Sequence, residues 1–433
     1  MRPALDSGKL AWGQSPLMEA RAVLELPFAR EGLFGSVTVP PSKSLAQRYL
    51  LAACLAGPPS QVDGYPDAED PQLLLSALQE VGFQLHVEGQ RVAVRGFAPV
   101  REAKLFLGNN GTGLRILVAI LASLPGRYVV DGVPRLRERP LGKLLAALRS
   151  LGAQIEGERL PLVIEGGELS GQTVTVEARE SSQFVSALLF LGAKLPSGLR
   201  VELAGDVPSW PYVAMTAAVL RQFGAEVQFQ PDSVWVKGPL QPRKVAVEGD
   251  WSAAAFPMVG VAVAGGDVVV RGVRPKSVQG DAVLVDILKR AGCNVRMEPE
   301  GVRVRGRATK SLRARLAEVP DLFPPLAVLV ALRGGELTGL GHLAYKESNR
   351  LQVMAERLRQ LGLAVEADAA SFRVFPGQKP QAPPFALSPE ADHRIAMALA
   401  VAGLVTPGLR LADPQCVAKS WPDFFSAWTA LVR

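Results

Sequence analysis

At 433 residues, 48% of them hydrophobic, the chain is too long for one ordinary core and apolar enough to fill two. A net charge of +7 suits nucleic acid, a membrane surface or small anions, but no basic run of five or more residues occurs and the cations are spread through helical patterns, which leaves small anions as the better partner. Three cysteines without knuckle or redox spacing indicate neither a disulfide framework nor a zinc site.

In chain order, the first 17 residues hold neither the continuous apolar segment of a secretory signal nor an Arg- and Ser-rich amphipathic stretch, so a cytoplasmic protein is expected. Residues 36–40 read as a strand. A polar cluster at Ser42 then opens an apolar helix over 42–56, which contains Cys54. The pattern Leu-x-x-apolar-Gly-x-x-apolar closes a second helix at Gly82, and the strand after it carries His86. The alternation continues with an apolar helix over 111–123 and Gly152, one over 181–195 and Gly224, one over 250–264 and Gly292, one over 321–332 and Gly362, and one over 392–405. A last long helix over 423–431 runs into the chain end and lacks its glycine. Strand-like runs at 201–203, 234–236, 268–270 and 302–304 are bounded by Gly, Pro and Asp. The uncharged stretch 251–266 falls short of the roughly 20 residues of a membrane span and contains Pro257, so it reads as a buried helix. Cys54, Cys293 and Cys416 read as inert packing residues.

The closing glycines fall about 70 residues apart, as do the six apolar helix starts. Each copy is a helix capped by a glycine in the left-handed conformation and followed by an alternating strand, which makes a mixed α/β repeat. A solenoid is one architecture for six copies. Helices this apolar look buried on most sides, however, and fit two threefold domains divided near residue 248 better.

The amino end of a helix presents unpaired N–H groups and a positive dipole end, and so binds anions. Here the starts read Pro-Ser-Lys43-Ser44-Leu-Ala-Gln-Arg48, Gly108-Asn109-Asn110-Gly111-Thr112-Gly113, Ser181-Ser182-Gln183, Glu248-Gly249-Asp250-Trp251-Ser252, Pro320-Asp321 and Asp392-His393-Arg394. Taken singly, Ser, Asn and Asp at these places are ordinary caps. Lys43 and Arg394 are different, because a cation in the first turn opposes the dipole and a bound anion would remove the conflict.

As strings, these segments resemble the enolpyruvylshikimate-3-phosphate synthase family along nearly the whole chain. The matching stretches are Pro-Ser-Lys43-Ser44 with Arg48, Leu-Phe-Leu-Gly-Asn109-Asn110-Gly111-Thr112, Glu138-Arg139-Pro140, Ser181-Ser182-Gln183-Phe, Lys346-Glu347-Ser-Asn-Arg350-Leu, Asp392-His393-Arg394-Ile-Ala-Met and Asp413-Pro-Gln-Cys-Val-Ala-Lys419. Residues 1–20 lie outside the resemblance as an extension, with Met18 a candidate start. The resemblance implies an α/β protein of two domains, each of three β-α-β-α-β-β units in an inside-out barrel, with substrates in the interdomain cleft. On that pattern residues 41–247 form the first domain, and residues 1–40 with 248–433 form the second.

The activity implied is transfer of the enolpyruvyl group of phosphoenolpyruvate to the 5-hydroxyl of shikimate 3-phosphate, by addition and then elimination of phosphate. It implies no metal or cofactor, no nucleic acid or membrane partner, and a monomer. By position, Glu347 would deliver and remove the methyl proton, Asp321 would orient or deprotonate the hydroxyl, and Lys43 would bridge both substrates. Shikimate 3-phosphate would be held by Lys43, Ser44, Arg48, Ser181, Ser182, Gln183, Ser209, Tyr212, Asp321, His342 and Lys346, with Tyr212 stacked beneath the ring. Phosphoenolpyruvate would take Lys43, Asn109, Gly111, Arg139, Gln183, Arg350, His393, Arg394 and Lys419, where planar guanidiniums match its phosphate and carboxylate. Asp321 can also be read as a helix cap, and Glu347 as half of a helix ion pair. Trp210, Asn110, Gly113, Trp251, His342 and Ala344 depart from the common pattern and bear on substrate contacts.

Two related readings and one distant one compete. A transferase acting on UDP-N-acetylglucosamine usually carries a reactive Cys in a mobile loop, and no cysteine occurs between Cys54 and Cys293. A non-catalytic relative would have lost Lys43, Asp321, Glu347 or the arginines, all of which are present. An RNA-end-processing enzyme would need a nucleophilic histidine, and His86 in a strand is a poor candidate.

Overall fold

The computed structural model describes residues 22–433, so the expected extension over residues 1–20, with Met18, lies outside the described residues. The chain forms an α/β protein of two domains built from repeated units, with an apolar helix trio inside each and sheets around it. The helices expected from the small-residue runs are Lys43–Ala56, Gly111–Leu121 and Gln183–Lys194 in one core, and Trp251–Ala264, Phe323–Arg333 and His393–Gly403 in the other. Every residue of Trp251–Ala264 is buried, Pro257 included, as the uncharged stretch required. That helix is too short to span a bilayer, and among the described residues no helix is long and apolar enough to do so.

The repeat becomes explicit in the sheets. Five four-stranded sheets among the described residues share one topology, a parallel pair followed by two antiparallel neighbours. The sixth copy is reduced. Its strand Arg410–Ala412 pairs antiparallel with Val23–Glu25 from the other end of the chain, and a single parallel bridge joins Leu387 to Leu411. The long helix expected over 423–431 is correspondingly shorter, Phe424–Thr429, because the chain turns at Leu431 to bond back to Phe34.

Gly82 terminates its helix with φ 109°, and a side chain there would collide with the Ala98 carbonyl, so glycine is required twice over. The strand expected near 36–40 is Leu33–Thr38, lying parallel to Gly266–Arg271. Two hydrophobic cores result, one drawn from Leu45 through Val245 and the other from Leu26–Val39 together with Trp251 onward. A solenoid would have one continuous core instead. The two chain crossings run side by side, with Ser42 N donating to Glu248 O (2.8 Å) and Asp250 N to Pro40 O (2.9 Å). Among the described residues this paired crossing is the only covalent link between the cores.

Candidate active site

Four of the six starts carry a side-chain cap: Ser42, Asn110 and Asp250 accept from backbone N–H groups three residues on, and Asp392 from that of Arg394 two residues on. Asp321 does not. It sits in the 3-10 turn Pro320–Leu322 with no capping bond, and its carboxylate instead accepts from Arg350 (2.6 Å), Arg394 (3.0 Å) and the Tyr212 hydroxyl (2.7 Å). The helix-cap reading of Asp321 is thereby set aside.

A buried charge network runs through the cleft. Arg350, 1% exposed, also donates to Glu347 (2.6 Å) and Asp392 (2.8 Å), so three carboxylates share one guanidinium. Glu347 thus pairs with Arg350 three residues on, as its spacing suggested, but from the segment before the helix Arg350–Gln360 and not from within it. It also lies 3.8 Å from Arg139, which reaches it from the other half of the molecule. Burial would raise the Glu347 carboxyl, but Arg350, Arg139, Lys43 and Lys419 outweigh it and hold the group well below the usual carboxylate range. Asp321 follows the same logic, with burial overcome by Arg394, Arg350 and Lys346.

Lys43 and Lys419 meet at Asp70, a buried carboxylate that sequence reasoning missed. Lys43 Nζ lies 2.9 Å and Lys419 Nζ 2.6 Å from its two oxygens, and Lys419 also donates to Asn109 O (3.1 Å). The unfavourable cation–dipole contacts at Lys43 and Arg394 are thus met by Asp70 and Asp321 in this structure. Arg139 donates to the Asn109 carbonyl (3.1 Å) and side chain (3.3 Å). Gln183 joins Thr112 (2.9 Å) to Arg115 (2.8 Å), and Arg115 in turn donates to Gly111 O (3.1 Å). Arg115 was also missed: as the fifth residue of the helix Gly111–Leu121 it lies beyond the first turn, so the cation–dipole argument that singled out Lys43 does not reach it.

The remaining expected residues fall on the same cleft or its rim. Arg48, lowered to about 10 by burial, donates to Thr216 (2.8 Å) and to Ser44 O (2.9 Å) and lies over the Tyr212 ring. Ser44 and Tyr212 border a crevice of about 10 Å³ with Ser252 and Asp281. Ser181 accepts from Gln183 N (3.3 Å), and Ser182 is buried beside it. His393 is fully buried with neither ring nitrogen hydrogen-bonded. Ser209 and His342 face each other across the halves at 3.3 Å. Burial, followed by Lys346, lowers His342 to about 3, and burial lowers Lys346 to about 8.

Of the departures, Trp251 is buried in the second core, and Trp210 lies against Phe229 with ring centroids 5.6 Å apart. A larger opening of about 590 Å³ is lined by Asn109, Arg135, Glu347, Cys416 and Lys419 among others. Cys416, pushed up to about 12 by burial, stays a thiol there, in keeping with a packing role.

Cations and carboxylates from both halves, with Lys43 and Arg394 at helix starts, form a cluster whose chemistry suits binding anions and exchanging protons with them. The family model of EPSP synthase (3-phosphoshikimate 1-carboxyvinyltransferase) matches residues 29–428. A 3-phosphoshikimate 1-carboxyvinyltransferase of Cupriavidus taiwanensis is 36% identical over 424 residues, covering 92% of this chain and 97% of that protein. The same-named protein of Thiobacillus denitrificans is 36% identical over 427 residues, covering 95% and 99%. Among solved structures, EPSP synthase from Acinetobacter baumannii superposes with a TM-score of 0.75 at 27% identity, covering 95% of this chain and 98% of that one.

Proposed function

The chain belongs to the EPSP synthase (3-phosphoshikimate 1-carboxyvinyltransferase) family, and from that membership we infer how its cleft works. The protein is an enzyme of the shikimate pathway that transfers the enolpyruvyl group of phosphoenolpyruvate to the 5-hydroxyl of shikimate 3-phosphate and releases phosphate. The observation that carries the reading of the site is the shared guanidinium of Arg350, which links Glu347, Asp321 and Asp392 while Arg139, Lys43, Lys419 and Arg394 surround them.

In our reading, the phosphate and carboxylate of phosphoenolpyruvate take over Arg139, Arg350, Arg394, Lys43 and Lys419 from the protein's own carboxylates. Gln183, the Gly111 backbone, Asn109 and His393 complete that subsite. Once substrate anions neutralise its cations, Glu347 regains proton affinity and can protonate the methylene carbon as the 5-hydroxyl attacks the adjacent carbon. Asp321, freed in part from Arg350 and Arg394, accepts the hydroxyl proton. Elimination reverses the first transfer: Glu347 removes a methyl proton as the carbon–phosphate oxygen bond breaks and phosphate leaves. Lys43 sits between the two anions and stabilises the charge on both. Ser44, Arg48, Ser181, Ser182, Ser209, Tyr212, His342 and Lys346 hold shikimate 3-phosphate in this scheme.

We place the domain boundaries at residues 41–247 for the first domain and 1–40 with 248–433 for the second; residues 1–21 lie outside the described residues, and for the rest the composition of the two cores supports the division. A cytoplasmic monomer without nucleic-acid partners completes the proposal. Phosphate release is the decisive assay: shikimate 3-phosphate with phosphoenolpyruvate should support it, and UDP-N-acetylglucosamine in place of the first should not. Release with the second acceptor alone would overturn the assignment.

A further inference from the structure

Arg135 lies on the five-residue helix Pro134–Glu138 of the first half, yet most of its hydrogen bonds cross to the second. Its Nη2 donates to Ala344 O (2.9 Å) and Lys346 O (3.0 Å), its Nε to Glu347 O (3.2 Å), and its Nη1 to Glu138 (3.0 Å). Four bonds thus occupy a guanidinium that has five N–H donors, and all four go to protein oxygens.

The receiving segment is a gap between two helices. The 3-10 helix Gly341–Tyr345 has ended, and the helix Arg350–Gln360 has not begun. Lys346 and Glu347 lie in that gap. No following turn of the chain is in place to satisfy their carbonyls, and a cation at the carbonyl end of a helical turn is favourable on both hydrogen-bonding and dipole grounds. Arg139, one turn further along the first half, addresses the Glu347 side chain at 3.8 Å. The first half therefore holds this residue at both its backbone and its carboxylate.

We propose that Arg135 is a positioning residue that completes the backbone of the 344–347 segment when the two halves meet, so that closure itself sets the proton-carrying Glu347. The proposal rests on the assigned role of Glu347. A lysine would keep the charge but has no planar fork to reach three carbonyls at once.

The test compares the parent protein with Arg135→Ala and Arg135→Lys in steady-state kinetics, in binding of shikimate 3-phosphate alone, and in hydrogen exchange over residues 341–350 with and without both substrates. We expect Arg135→Ala to lower kcat ~10-fold or more with shikimate 3-phosphate affinity changed by less than ~3-fold, and Arg135→Lys to recover only part of the loss. Exchange over 341–350 should slow with substrates in the parent and not in Arg135→Ala. A kcat within ~2-fold of the parent, or a loss matched by equal falls in thermal stability and in shikimate 3-phosphate affinity, would overturn the positioning role. If the parent releases no phosphate, the functional reading fails, while the exchange comparison still decides whether Arg135 orders the segment.

Discussion

In the proposed mechanism two demands meet at Glu347: it is to carry a proton to the methylene, yet in the unliganded site burial is outweighed by four cations that keep it ionised. Both can be satisfied only if substrate anions engage those cations first, which makes proton transfer conditional on phosphoenolpyruvate being bound. Glu347→Gln should accordingly lower kcat by roughly two to four orders of magnitude with substrate binding largely retained, as for loss of a general acid–base group. Near-normal turnover in that variant would remove Glu347 from the mechanism. Lys346 supplies a pH signature. Burial lowers it to about 8, so its ammonium is present below that pH and lost above it. Since kcat/KM reports groups of the free enzyme, it should fall as pH rises through about 8, and Lys346→Arg should move that limb to higher pH. An unmoved limb would assign the titration to another group.

Among the elements, the helix Gly111–Leu121 shows what a glycine at a helix start provides. A Cβ at Gly111 would lie 2.5 Å from Arg139 Nη2 and 2.6 Å from Arg115 Nη1, both on buried guanidiniums with their own hydrogen bonds. Gly111→Ala should therefore displace Arg139 and raise the KM for phosphoenolpyruvate by roughly tenfold, about 1.4 kcal/mol, while leaving shikimate 3-phosphate affinity near its parent value. Equal weakening of both ligands, or of neither, would place this helix start outside the enolpyruvyl subsite. The helix motifs themselves were readable in the sequence, because caps and closing glycines act locally. Asp70 was not. An acidic residue in a first turn looks like an ordinary dipole partner, and only the fold brings Lys43 and Lys419 to it. Arg135 was equally hidden among the arginines of an exposed short helix.

For the molecule as a whole, the two cores meet across a cleft lined by polar contacts, with Tyr212 on Asp321, Arg139 near Glu347, and Lys419 on Asp70. In the proposed scheme Ser44 and Tyr212 hold shikimate 3-phosphate, and the crevice they border, about 10 Å³, is too small for a sugar phosphate, so that scheme requires the halves to separate for the ligand to enter. The paired crossings 40–41 and 248–250 join the halves, and we expect any such motion to turn about them. We expect the ligand-free protein to populate an open form in solution and shikimate 3-phosphate to close it, seen as a decrease in the radius of gyration by small-angle scattering. An unchanged radius on adding saturating ligand would contradict this.

The amino-acid sequence by itself determined the six-unit α/β repeat, since a helix that must end at a left-handed glycine and a strand that must alternate leave marks at fixed spacing. It also determined the cation-bearing helix starts, because a residue that opposes a helix dipole stands out without knowledge of its neighbours. The tertiary structure alone decided which carboxylate each cation faces, how the sixth sheet borrows Val23–Glu25, and that Arg135 reaches the backbone beside Glu347. These depend on contacts between residues as far apart as Asp70 and Lys419, set by the packing of two separate cores and by the crossings that join them, and local chain chemistry carries no record of such a pairing.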